Sequence, residues 1–427
     1  MPFDPQPDGG VLRFITAGSV DDGKSTLIGR LLHDAGAVPK DQLAALRRIA
    51  ARQGESEIDL SLLTDGLIDE REQGITIDVA YRYFATARRQ FIVADTPGHE
   101  QYTRNMVTGA STADAAVILV DVRKGMTAQT RRHLYLSHLL GVAHLVVAVN
   151  KMDLVGFAQS AYEAVASPIA AFAAALGANS LHLVPLSAKH GDNVVRQSER
   201  MPWHAGLPLL ALLEALPSAA RIREGALRFP VQLVRRVASA EGDQRRLVLG
   251  RVESGRLSVG DEVMVMPAGT PTRIRSIVTY DGVLAGAAAP QAVTIELADP
   301  VDIRRGDLLV HAESPPRVAR KFAATICWLA DEPHQSSSQR RYQLKTGTQM
   351  VPARLEHIVE RIDVATLSTV PAPETIARND IARAQIALAS PIAFDAYREN
   401  RATGGFILID AQTQATVAAG MIELDAR

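Results

Sequence analysis

Residues 18–26 read Gly18-Ser19-Val20-Asp21-Asp22-Gly23-Lys24-Ser25-Thr26, and this short stretch decides how the first half of the chain folds. The apolar run VLRFITAG ahead of it has the composition of a buried strand, and KSTLIGRLLHDA behind it has the spacing of an amphipathic helix. A glycine-rich loop between a strand and a helix lets successive backbone N–H groups converge on an anion, and the helix N-terminus adds its positive dipole. Four residues separate Gly18 from Gly23-Lys24-Ser25, the full phosphate-loop spacing. In that pattern Lys24 neutralises terminal phosphates and the Ser25 hydroxyl is a magnesium ligand. The candidate phosphate contacts are therefore Gly18, Ser19, Asp21, Asp22, Gly23, Lys24, Ser25 and Thr26.

Working outward, FIVADTPG, AAVILVDV, HLVVAVNK and LHLVPLSA are short apolar runs separated by helix-compatible segments such as AQTRRHLYLSHLLG. Such runs predict a mostly parallel sheet with helices on both faces. Three of them end in residues with chemistry. DTPGHE places Asp95 where it can hold Mg²⁺ through water, frees the Gly98 amide for a γ-phosphate, and sets His99 beside the attacking water. NKMD supplies Asn150, Lys151 and Asp153, and SAK supplies Ser187, Ala188 and Lys189. Asp153 can accept from guanine N1–H and its 2-amino group, Asn150 can bond near N7, and the Ala188 amide can donate to O6. The stems of Lys151 and Lys189 can cover the ring faces. Adenine lacks those paired donors and would leave Asp153 unsatisfied, so the pattern predicts GTP over ATP. In EREQGITID, Thr76 is placed to complete the Mg²⁺ shell when GTP is bound and to let go after hydrolysis. The candidate catalytic groups are thus His99, Lys24 and Thr76, and the metal ligands Ser25, Thr76 and Asp95.

The amphipathic stretch Leu209 to Leu216 gives way to a polar segment, and beyond it the periodicity changes. FPVQLVRRV, RRLVLGRVESGRLSVGDEVMVMP, TRIRSIVTYDG and AVTIELADP are β-rich and broken by Gly, Asp and Pro, which predicts a small antiparallel barrel. A second set runs from KFAATICWLA to TVAAGMIEL, after the break at Ser314-Pro315-Pro316. The expected domains are 1–222, 223–316 and 317–427. The Arg340-Arg341 pair reads as a solvated loop.

The 427 residues carry 47% apolar and 22% charged side chains, which disfavours a disordered or fibrous class. Lys+Arg 46 against Asp+Glu 47 leaves a formal charge of −1, without the basic excess of a nucleic-acid binder. The lone Cys327 forms no internal disulfide. MPFDPQPDGG lacks a basic start followed by an apolar stretch, and no apolar run reaches the ~18 residues of a membrane span. A cytoplasmic location is expected.

Taken in order, GSVDDGKST, EREQGITID, DTPGHEQYTRNM, NKMD and SAK resemble the translation-factor class of P-loop GTPases. The resemblance covers essentially the whole chain and implies an α/β P-loop GTPase domain followed by two small antiparallel β-barrel domains. Translation factors usually carry His where this chain has Ser19 and Asp22, so GSVDDGKST is closer to the large subunits of bacterial sulfate adenylyltransferases. That branch implies GTP hydrolysis coupled to formation of adenosine 5′-phosphosulfate and pyrophosphate from ATP and sulfate. It also implies a separate small catalytic subunit of the ATP-pyrophosphatase type, since no SGG-x-D-S-like loop occurs here. No second phosphate loop follows Lys24, so adenylylsulfate kinase activity is not expected. A delivery factor for aminoacyl-tRNA is the rival within the class; Asp22 and the near-zero charge argue against it.

Overall fold

The computed structural model describes residues 10–53, 58–63, 78–98, 103–217, 225–238 and 244–423. The chain divides into two compact units, residues 1–218 and 219–427.

The first unit is built on six strands: β1 (Val11–Gly18), β2 (Ala80–Ala85), β3 (Gln90–Asp95), β4 (Ala115–Asp121), β5 (His144–Asn150) and β6 (Leu181–Pro185), in the order β2-β3-β1-β4-β5-β6. All neighbours are parallel except β2, which turns back antiparallel on β3. The helices are α1 (Lys24–Asp34), α2 (Lys40–Gln53), α3 (Thr103–Ala110), α4 (Ala128–Leu139), α5 (Gln159–Ala175) and α6 (Leu209–Ala215). Every side chain of β4 is buried, which requires cover on both faces of the sheet. On one face Leu27, Ile28, Leu31 and Leu32 of α1 and Leu209, Leu210, Leu212 and Leu213 of α6 pack over Phe14, Val93 and Val117. Phe84 and Phe91 stack at 4.8 Å, with Phe14 edge-on to both. The opposite face receives α3, α4 and α5. Buried Arg89 donates to the carbonyls of Leu213, Glu214 and Leu216, so its charge closes the C-terminal end of α6.

Strand β2 was not among the expected strands. AYRYFA alternates half-buried and exposed positions, as an edge strand does, and its apolar content is too low to stand out as a core run.

The second unit holds two closed six-stranded barrels. The first comprises β7 (Phe229–Ala238), β8 (Gln244–Arg251), β9 (Glu262–Met266), β10 (Thr270–Thr279), β11 (Ala292–Leu297) and β12 (Leu308–His311), closing in the order β9-β12-β7-β8-β11-β10-β9. The second comprises β13 (Arg317–Trp328), β14 (Tyr342–Thr346), β15 (Gln349–Ile362), β16 (Ile381–Phe394), β17 (Gly405–Asp410) and β18 (Thr416–Ile422), closing as β14-β17-β18-β13-β16-β15-β14. Closure removes open edges, and each barrel fills with its own apolar cluster. Cys327 is buried in the second.

Arg340 does not solvate a loop. Its Nε lies 2.6 Å from the fully buried Asp410 and its Nη1 2.7 Å from Glu332, so it neutralises a carboxylate that also accepts from the Gln412 and Thr413 amides. Pair spacing alone gave no hint of a partner seventy residues on.

Met266, Leu308 and Val310 of the first barrel pack with Ala393 of the second. Beside them Arg228 forms a two-pronged contact with Asp395, at 2.8 and 2.7 Å, and Thr403 donates to the same carboxylate. Both charges are at least nine-tenths buried. Arg228→Ala is therefore expected to lower the stability of this unit by about 3 kcal/mol, because Asp395 is left buried and unpaired. Urea unfolding should show the loss, and the double change Arg228→Met with Asp395→Leu should recover most of it.

No helix among the described residues is long and apolar enough to cross a membrane.

Candidate functional site

Parallel strands all present their C-terminal ends on one side of the sheet, and the expected loops leave the sheet there. The loop after β1 turns left-handed at Asp21 (φ 66°) and at Gly23 (φ 95°) before α1 starts at Lys24. A Cβ on Gly23 would lie 2.5 Å from Asn150 Nδ2, so the close approach of the two loops requires glycine there. Lys24 is buried, and its ammonium donates to the Gly18 and Ser19 carbonyls at 2.9 and 3.0 Å. Burial lowers its pKa, opposed by the carboxylates of Asp95, Asp22 and Asp21. Ser25 and Thr26 follow, both half-buried, in the first turn of α1.

Asp95 closes β3 beside β1, where Thr16 Oγ1 donates to it at 3.0 Å. Three residues later a Cβ on Gly98 would sit 2.5 Å from Lys24 Nζ and 2.7 Å from the Gly18 carbonyl, so this loop lies directly against the first one. Gln129 of α4 donates to the Gly98 carbonyl at 3.3 Å and contacts His133 Nε2 at 3.0 Å. Burial first, then the nearby Lys24 and Arg132 charges, push His133 down to about 3, so it is neutral at working pH. His99 and Thr76 lie outside the described residues.

Asn150, at the end of β5, bridges two loops. Its Nδ2 donates to the Asp22 carbonyl at 2.8 Å, and its Oδ1 accepts from the Ala188 amide at 2.9 Å. The Ala188 amide, expected to be free for a base oxygen, is thus already engaged. Asn150 makes one bond at each end of its carboxamide and keeps a second N–H and a second oxygen lone pair beyond them. Lys151 adopts φ 65° and reaches Asp121 Oδ2 at 3.1 Å, which fixes its stem along the pocket wall. Asp153 Oδ1 accepts from Ser187 Oγ at 2.6 Å. Gly23, Thr26, Asn150, Lys151, Asp153, Ala188 and Lys189 line a single cleft of about 880 Å³.

Four residues outside the expected set support the cleft. Asp121, fully buried opposite Asn150 in the β4–β5 register, anchors both Lys151 and Arg123. Burial alone would raise its pKa, but hydrogen bonds from Arg123 and Lys151 outweigh that and hold it well below the carboxylate range. Its place at the end of an apolar strand was a readable signal. Arg30 of α1 donates to the Ala188 carbonyl at 3.2 Å and to that of Lys189, with no motif to announce it. Ile58 and Asp59 line the far wall of the cleft from a segment with no periodic pattern.

A phosphate loop, a DTPG loop packed on it and two loops gathered into one cleft define a P-loop GTPase of the translation-factor class. Residues 10–222 match the model of the elongation factor Tu GTP binding domain, 245–310 that of elongation factor Tu domain 2, and 321–423 the GTP-eEF1A C-terminal domain-like model. The chain is 48% identical to "Sulfate adenylyltransferase subunit 1" of Saccharophagus degradans, over 96% of this chain and 86% of that protein. The protein of the same name from Chromobacterium violaceum is 49% identical over 96% and 86%. "Bifunctional enzyme NodQ" of Rhizobium meliloti is 50% identical over 98% of this chain and 64% of its own length. The chain belongs to the sulfate adenylyltransferase subunit 1 family.

Proposed function

We propose that this chain binds GTP in the cleft, hydrolyses it, and couples that hydrolysis to transfer of an adenylyl group from ATP to sulfate, giving adenosine 5′-phosphosulfate and pyrophosphate. The observation that carries the nucleotide reading is the pair of hydrogen bonds made by Asn150, which tie the loop of Lys24 to the loop of Ala188 in one cleft with Asp153. The near-full-length likeness to sulfate adenylyltransferase subunit 1 supports the coupled reaction. A phosphate–sulfate anhydride is a high-energy product, so a second hydrolysis gives the reaction its driving force. Adenylyl transfer itself falls to a separate small catalytic subunit of the ATP-pyrophosphatase type, in a heteromer in the cytoplasm.

The residues suit a loose, in-line transfer of the γ-phosphoryl group to water. Lys24 and the loop amides neutralise charge on the phosphates, and His99 orients the water. Ser25, Thr76 and Asp95, directly or through water, offer the hard oxygen donors that suit Mg²⁺. When bound, that ion neutralises charge on the β- and γ-oxygens.

His99→Ala is expected to leave GTP binding nearly intact and to slow turnover roughly a hundredfold, the scale of a misplaced reactant. Parallel loss of binding and turnover would make the residue structural. The coupled function is tested by isolating the chain from its host. A co-purifying second polypeptide, with sulfate-dependent consumption of both ATP and GTP, is the expected result. Bound aminoacyl-tRNA would overturn it.

A further inference from the structure

A loop that receives polyphosphate gathers positive charge, yet this one buries a carboxylate within itself. Asp22 is only 2% exposed. Its Oδ2 accepts the Ser19 amide at 2.8 Å, while its Oδ1 is buried without a hydrogen-bond partner. Lys124, three residues past the end of β4, lies 3.7 Å from that second oxygen and donates to the Val20 carbonyl at 3.2 Å. Burial raises the Asp22 pKa, while the Ser19 hydrogen bond and the Lys24 and Lys124 charges oppose the rise.

Holding the Ser19 amide does not explain the charge. Asparagine caps a free amide about as well as aspartate and carries no penalty for a buried anion. What aspartate adds is a negative charge inside the loop, offset by Lys24 and by the half-exposed Lys124. Such a charge opposes every anion brought to the same loop amides, and its effect grows with the number of phosphates.

We propose that the Asp22–Lys124 pair sets the affinity of the loop for the polyphosphate of the nucleotide. Asp22 weakens the grip and Lys124 limits the weakening, so that the two side chains set how fast a nucleoside diphosphate leaves. The proposal rests on the GTP reading above and assigns the release step to these two side chains.

The test follows release of a fluorescent GDP from the full chain after mixing with excess unlabelled GDP. Asp22→Asn keeps the shape and the Ser19 contact, and should slow release roughly tenfold, the scale of one partly screened charge near a polyphosphate. Lys124→Met should speed release by a similar factor, and the double variant should return near the wild-type rate. The affinity for guanosine, which has no phosphate, should change far less than the release rate in all three. Unaltered release in Asp22→Asn would overturn the proposal, as would faster release in both single variants with weaker guanosine binding, because the pair would then only hold the loop in shape. Wild-type protein that binds neither guanosine nor GDP would sink the nucleotide reading itself, whereas normal wild-type binding with an unresponsive Asp22→Asn sinks this proposal alone.

Discussion

Asp153→Asn should lower GTP affinity by about a thousandfold while raising that for xanthosine triphosphate, since sites built on base hydrogen bonds discriminate by roughly 10⁴ or more. Guanine offers two N–H donors along one edge, and a carboxylate accepts both. Xanthine replaces the amino donor with a carbonyl, which an asparagine N–H can meet. Ser187 Oγ already donates to Asp153 Oδ1 at 2.6 Å, so the variant keeps its oxygen toward Ser187 and turns its amide nitrogen to the other side. The side chain is isosteric, which separates loss of recognition from loss of fold. Titration with the two nucleotides decides the matter, and unchanged GTP affinity would refute the assignment.

Gly98→Ala should abolish nearly all GTP turnover, by about a thousandfold, while GDP binding changes little; the loss of one aligned amide donor is worth about that much. The new methyl group would stand 2.5 Å from Lys24 Nζ and 2.7 Å from the Gly18 carbonyl. Neither neighbour can give way easily, because Lys24 is held by two carbonyls and Gly18 ends a core strand. The loop of Asp95 to Gly98 must therefore shift, and its amide moves away from the position proposed for the γ-phosphate. Single-turnover hydrolysis measured beside equilibrium GDP binding checks this, and equal losses in both would show that the glycine serves only to keep the pocket folded.

Much of the architecture was legible because its signals are local. The phosphate loop announces itself by glycine spacing, and the runs ending at Asp95, Asn150 and Ser187 are short, apolar and bounded by turn residues. The barrels were legible as a class from dense turn residues between short β-rich runs. Edge strand β2 was not, since exposure on one side leaves only weak alternation. Contacts that depend on tertiary closure were equally silent. Arg340 finds Asp410 across seventy residues, Arg30 reaches the carbonyls of the Ala188 loop, and Asp121 steadies Lys151. The motif residues themselves were legible by position but not by partner. Position in a motif does not reveal that the Ala188 amide donates to Asn150, or that Asp22 turns its carboxylate inward to Ser19.

That mutual grip has a thermodynamic consequence. Because one carboxamide touches both the loop for phosphate and the loop for base, whatever settles either loop also settles the other. Pyrophosphate and guanosine, offered as separate fragments, should then bind with positive cooperativity, each reducing the ordering cost met by its companion. Purine analogues altered only at the ring would register their change in how firmly the distant phosphates are held.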